Sequence, residues 1–135
     1  MCIRDRFGAD ITVETNPYEA GMGWLVDLDK PDFVGKSASQ TNKQSNQPRK
    51  MVCIAFDDPQ AIMYGFEPVL IGDEVVGKVT SAEYSYSTNQ FLALALVKLE
   101  FAEVGTKLRI RYTGNYYEGK VVKDPVFDPK NERIK

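Results

Sequence analysis

The stretch PVLIGDEVVGKVTSA, residues 68–82, places two β-rich apolar runs on either side of Gly72 and Asp73, a pair suited to a hairpin turn. Upstream, MVCIAF (51–56) is a continuous apolar run, as expected of a strand covered on both faces. Downstream, FLALALVKL (91–99) is the most apolar segment. Its leucines and alanines would support a helix, but its length and flanks suit a strand better. GTKLRIRY (105–112) alternates, with Leu108, Ile110 and Tyr112 on one side, which is the period of a half-buried strand. Thr113 to Asn115 supply a turn, and YYEGKVV (116–122) returns as the next strand. About six short strands joined by tight turns predict a mainly β fold, a small antiparallel six-stranded barrel over residues 48–135. Closing a barrel removes the unpaired edges of a sheet. In the tail, DPVFDPKNERIK (124–135), Pro125 and Pro129 end the last strand and hold the chain extended; the plainer alternative is a frayed, solvated terminus.

The first third reads differently. FGADITVETNPYEAGMGWLVDLDK (7–30) offers a short extended run, a turn at Asn16-Pro17, and small residues around Trp24, with Gly21 and Gly23 permitting close backbone approach. It carries too little apolar surface to fold alone, so it is expected to pack against strands outside this chain. Phe33 and Val34 would anchor a short helix starting near Gly35. From Ser37 to Pro48 the composition turns to Ser, Gln, Asn, Lys and Thr without apolar period, which reads as a linker or exposed loop. The domain boundary is placed there, giving 7–47 as one region and 48–135 as the other.

Composition narrows the chemistry. At 135 residues, the chain has the size of one domain, or of one small domain with part of a neighbour. Formal net charge is −2 with acids and bases interspersed, which argues against nucleic acid as a partner. A small nucleic-acid-binding barrel would also need a basic, aromatic strand face. Histidine is absent, so this chain carries no histidine general base and no Ser-His triad. Cys2 and Cys53 fit no metal or redox spacing, and Cys53 reads as a small core residue. No apolar run approaches the ~20 residues needed to cross a bilayer. No apolar segment follows the N-terminal charges as a secretory signal would require. The default reading is a cytoplasmic protein, an organelle lumen being the other compartment of that kind.

Three segments then carry a resemblance. TNPYEAGMGWLVDLDKPDFVGK (15–36), GDEVVGKVTSAEYSYS (72–87) and GTKLRIRYTGNYYEGKVVKDPVFDP (105–129) resemble, in order and spacing, the C-terminal part of the glycine-cleavage T-protein (aminomethyltransferase) family. The NPYEAG turn and the DPKNERIK tail look closest to the T-protein-like modules of dimethylglycine and sarcosine dehydrogenases. The resemblance implies a C-terminal barrel preceded by a remnant of an α+β folate-binding domain, in a chain that lacks the family's upstream catalytic aspartate and Arg-Leu-Glu motif. It implies transfer of a one-carbon unit from a glycine derivative to tetrahydrofolate by the parent protein, with no catalytic residue in this chain. A non-catalytic folate-binding or docking module, of the kind that assists iron-sulfur maturation, is the alternative. An FAD domain would precede the chain in the dehydrogenase setting, and a lipoyl carrier protein would be a partner in a T-protein proper. MCIRDR (1–6) does not fit the family and resembles a translated sequencing-adapter remnant.

The folate-binding residues implied are Trp24, Glu132 and Arg133. Trp24 would pack on the flat rings of folate; the plainer reading is a tryptophan buried at a domain interface. Arg133, beside Glu132, would pair with the glutamate tail of folate, or be a solvated terminal charge. Asp10 and Glu19 would accept from a pterin, but capping of turns is favoured. Tyr84, Tyr86, Tyr112, Tyr116 and Tyr117 are expected to be structural, and Thr80 and Ser81 to satisfy backbone groups at a strand end.

Overall fold

The computed structural model of the chain describes residues 6–58, 60–130 and 132–133. Six strands form one closed antiparallel barrel: β1 Arg49–Phe56, β2 Pro68–Ile71, β3 Glu74–Ser85, β4 Gln90–Lys98, β5 Lys107–Tyr112 and β6 Asn115–Val122. Around the barrel they run β1-β4-β3-β2-β5-β6, and β6 closes on β1 in register from Cys53 opposite Val122 to Phe56 opposite Gly119. The six strands expected from the sequence are all present, and FLALALVKL is a strand.

Alternation builds the interior. Val52, Ile54 and Phe56 of β1 point inward with Phe91, Ala93, Ala95 and Val97 of β4, and are joined by Val69, Val76, Val79, Leu108, Ile110 and Val121. Ala61 and Met63, from the loop after β1, fill one end. A six-stranded barrel is narrow, so small residues sit where strands approach, and Ala82 faces Ala93 across β3 and β4. Gly119 is needed for the same reason: a Cβ there would lie 2.9 Å from the Ala55 carbonyl oxygen and 2.9 Å from Ile54 Cγ2. Register shifts at Val69/Leu70 and Val79/Ser81 bend β2 and β3 into the closed wall.

A second apolar layer lies outside. Met51, Cys53 and Ala55 of β1 and Leu92, Leu94 and Leu96 of β4 form a buried cluster on the outer face, with Ile11, Val122 and Val126 packed against it. MVCIAF and FLALALV therefore read as unbroken apolar runs because segments from both sides of the barrel cover their outer face.

The N-terminal region packs on the barrel itself. Asp10, 1% exposed, accepts from Thr80 Oγ1 at 2.7 Å and from the Arg6 main-chain N–H at 3.0 Å. The Met51 N–H donates to the Glu19 carbonyl at 2.8 Å, and Ala20 is buried. Residues 7–30, expected to pack against strands outside this chain, also pack on strands within it. Of the adapter-like MCIRDR, residues 1–5 lie outside the described residues, as does Cys2; Arg6 is described.

Two further expectations are corrected. The stretch 37–48 is not an irregular linker, because α1, Lys36–Gln44, occupies most of it. Gly35 precedes α1 with φ 89°, Thr41 Oγ1 donates to the Ser37 carbonyl at 3.1 Å, and no residue of the helix is buried. A helix that is polar all round has no apolar stripe by which to recognise it. The expected helix start near Gly35 agrees with this position. Thr80 and Ser81 lie within β3 at its bulge, not at a strand end. There Thr80 Oγ1 also lies 3.2 Å from the Leu94 carbonyl, while Ser81 Oγ is buried without a partner among the described residues.

Thr80→Val keeps the shape of the bulge but leaves Asp10 Oδ1 without its donor, and is expected to destabilise the chain by about 1–3 kcal/mol in urea unfolding. Gly77→Ala is expected to cost more than about 2 kcal/mol, since its Cβ would collide with the Leu96 carbonyl and lie 2.8 Å from Val97 Cα, both backbone.

Candidate functional site

The turn before Trp24 forms from a sequence signal. Asn16-Pro17-Tyr18-Glu19 has a capping asparagine, a proline at the first helical position, and a glutamate three residues after the cap. Asn16 Oδ1 accepts from the N–H groups of Tyr18 and Glu19, both at 3.0 Å, and Glu19 Oε2 accepts from the Asn16 N–H at 3.1 Å. The Ala20 N–H then donates to the Asn16 carbonyl at 3.1 Å, and Gly21 ends the turn with φ 73°. Glu19, 3% exposed, is therefore a capping residue, as favoured for it. Its other oxygen, Oε1, accepts from Arg49 Nε at 2.8 Å.

Trp24 lies in a short 3-10 helix, Gly23–Leu25, and is 78% exposed. The indole is not an interface core residue within this chain. Gly23 beside it has a steric role, since a Cβ there would lie 2.5 Å from Tyr18 Cδ1. The Tyr18 ring thus fills the place of a side chain under the tryptophan segment. Its hydroxyl is buried without a hydrogen-bond partner among the described residues.

The tail supplies a second element. Asp128 Oδ1 accepts from the Glu132 N–H at 2.8 Å, and Oδ2 from the Arg133 N–H at 2.9 Å. The Arg133 guanidinium sits 5.1 Å from the Phe127 ring centroid. One carboxylate therefore gathers Glu132 and Arg133 into a turn, and stacking on an aromatic face fixes the arginine. No hydrogen bond or ring contact joins Trp24 to either residue among the described residues. Sequence order alone suggested neither the Asp128 cap nor the Phe127 stack, although the PVFDP motif contains both.

Elsewhere the barrel is structural. Tyr84 meets Tyr86 edge-on at 5.0 Å, Tyr112 meets Tyr64 at 6.0 Å, Arg109 stacks 4.7 Å over Tyr116, and Tyr117 packs on the core. Two open grooves of about 440 and 500 Å³ share Asp57 and Glu118 and include none of Trp24, Glu132 or Arg133. Among the described residues, no three or more acidic, cysteine or histidine side chains are grouped to hold a metal. No described helix is long and apolar enough to cross a membrane.

Cys53 is buried and free. Burial, and secondarily the Asp124 carboxylate, push its thiol from an ordinary 9.0 up to about 12. An acid whose folded value lies above its unfolded value stabilises the fold below the unfolded value and loses that contribution as pH rises between the two. In a Cys2→Ser variant, Cys53 is expected to resist iodoacetamide at pH 8 until the chain is unfolded, and stability should fall from about pH 9 upward. Rapid labelling of the folded chain at pH 8 would contradict the buried thiol.

Comparison with known proteins gives consistent results. Residues 49–128 match the family model described as the glycine cleavage T-protein C-terminal barrel domain. Dimethylglycine dehydrogenase, mitochondrial, from Rattus norvegicus is 33% identical over 131 residues, covering 95% of this chain and 15% of that protein. An aminomethyltransferase from Prochlorococcus marinus (strain NATL1A) is 37% identical over 122 residues, covering 90% of this chain and 32% of that protein. The crystal structure of the glycine cleavage system aminomethyltransferase T from Bartonella henselae superposes with a TM-score of 0.82 at 25% identity, over 90% of this chain and 34% of that one. The chain thus spans about a third of the aminomethyltransferases it matches, and less of the dehydrogenase.

Proposed function

The chain belongs to the glycine cleavage T-protein family, through its C-terminal barrel domain, and on that premise we propose that it forms one wall of a tetrahydrofolate site in a one-carbon transferase. The donor would be a glycine derivative: glycine, sarcosine or dimethylglycine. The observation that carries this reading is Trp24, the single tryptophan, in the short 3-10 helix that follows the capped turn, with its indole exposed. An exposed indole on a fixed backbone suits a flat heteroaromatic ligand. Arg133, stacked on Phe127, presents a guanidinium fork of the kind that takes carboxylates in pairs, with Glu132 beside it.

Bound tetrahydrofolate would supply the nitrogen that accepts the one-carbon unit. The role of this chain is to bind and orient that ligand and to exclude water, which are contributions of position and not of proton transfer. FAD would belong to a separate domain in the dehydrogenase setting. A lipoyl carrier protein would be the partner if the donor is carrier-bound.

Titration of the 135-residue chain with tetrahydrofolate is expected to change Trp24 emission. Trp24→Ala should weaken the affinity measured by calorimetry about tenfold, or ~1.4 kcal/mol. Arg133→Ala should weaken it by a smaller factor. The chain alone is expected to show no transfer activity. Unchanged emission with no heat of binding would remove the binding assignment, and turnover by the isolated chain would remove the division of labour.

A further inference from the structure

The tryptophan segment is fixed from the barrel side. Arg49 is the first residue of β1, and its Nε donates to Glu19 Oε1 at 2.8 Å while its Nη2 donates to the Glu14 carbonyl at 3.1 Å. The same glutamate accepts from the Asn16 N–H through its other oxygen, and Asn16 in turn holds the N–H groups of Tyr18 and Glu19. Tyr18 then places its ring where a side chain of Gly23 would be, one residue before Trp24. A run of contacts therefore leads from the first residue of β1 to the exposed indole, and every member but Arg49 lies in the N-terminal region.

Geometry gives this chain of contacts one free variable. Arg49 grips the turn at two points 5 residues apart, Glu14 and Glu19, using two different guanidinium nitrogens. A planar fork restrains orientation as well as distance, which a single ammonium does not. The Glu19 side chain is 4% exposed and that of Arg49 37%, so the pair sits at the edge of the solvent, with the carboxylate inside. The Met51 N–H bond to the Glu19 carbonyl adds a backbone link two residues along the same strand.

We propose that Arg49 is a positioning residue for Trp24: by bridging Glu14 and Glu19, it fixes the turn that presents the indole to the ligand. The proposal rests on the reading of Trp24 as a ligand-facing residue and adds to it that the barrel sets the orientation of that face. Preorganising a binding surface raises affinity by removing the entropy of ordering it on binding. Arg49 would then control affinity without touching the ligand.

The test uses the full chain and its single tryptophan. Arg49→Met, Arg49→Lys and Glu83→Gln are compared by steady-state anisotropy of Trp24, by tetrahydrofolate titration, and by thermal unfolding followed at the barrel's far-ultraviolet signal. Glu83, exposed on β3 opposite Leu92, lies toward the other end of β4 from Lys98, the cross-strand neighbour of Arg49, and serves as the control. In Arg49→Met, anisotropy is expected to fall and the dissociation constant to rise about tenfold while the barrel remains folded. Arg49→Lys should recover part of both, since it keeps the charge beside Glu19 but has no second fork to reach Glu14. Wild-type anisotropy and affinity in a folded Arg49→Met chain would overturn the proposal. So would a loss of affinity at unchanged anisotropy, which would mean that the arginine meets the ligand itself. If Arg49→Met does not fold, Glu19→Gln makes the same measurement from the other side, and failure of both to fold would reduce the pair to a structural role and overturn the proposal. A fall in anisotropy in a chain whose wild type binds no tetrahydrofolate would support the positioning of Trp24 and remove the ligand assigned to it.

Discussion

Closure between β1 and β6 is the constraint on which the rest of this structure depends. Six strands enclose little volume, so the strands must approach closely and the interior must be filled by modest side chains. Gly119 lets β6 lie against Ala55 and Ile54, and Ala93 and Ala95 line the inner face of β4. With the inside so narrow, apolar area has to be buried elsewhere as well. Met51, Cys53, Ala55 and the three leucines of β4 place it on the outer wall, where it needs a cover.

That cover explains why the polypeptide around the barrel is ordered in the way it is. Ile11 from the N-terminal side and Val122 and Val126 from the C-terminal side pack onto the same cluster. Apolar packing has no direction, so it does not by itself fix how a covering segment is oriented. Two inward carboxylates supply the direction. Asp10 meets Thr80 at the bulge of β3, and Glu19 meets Arg49 at the start of β1. Each buried acid is satisfied by hydrogen bonds that exist in only one register of the segment on the barrel. The β3 bulge, which might pass for an irregularity of closure, thereby becomes the place where Thr80 turns outward.

Much of this was legible in the residues, and the parts that were not share a cause. Period-two alternation in GTKLRIRY and the turn pair Gly72-Asp73 are local signals, and the strands followed them. The capping pattern Asn16-Pro17-Tyr18-Glu19 is also local, and the turn formed as read. The start of helix α1 near Gly35 was legible, but its extent was not, because KSASQTNKQ buries nothing and no stripe marks it. The role of Thr80 escaped because its partner, Asp10, is 70 residues away, and nothing in either neighbourhood announces the pairing. Glu19 shows the division within a single side chain: one oxygen caps its own turn, as its spacing suggests, and the other reaches Arg49, which spacing cannot suggest. Of the candidate ligand residues, Glu132 and Arg133 share one turn organised by Asp128, whereas Trp24 stands on a separate element.

The shared cover has a topological consequence. Because segments preceding β1 and following β6 lie on one outer patch, both ends of the barrel's chain are committed to the same side of the wall. The connections at Gly72-Asp73 and Thr113-Gly114 take no part in that patch. Changes of length are therefore best tolerated at those two hairpins, where an inserted loop would grow into solvent without displacing Ile11 or Val126.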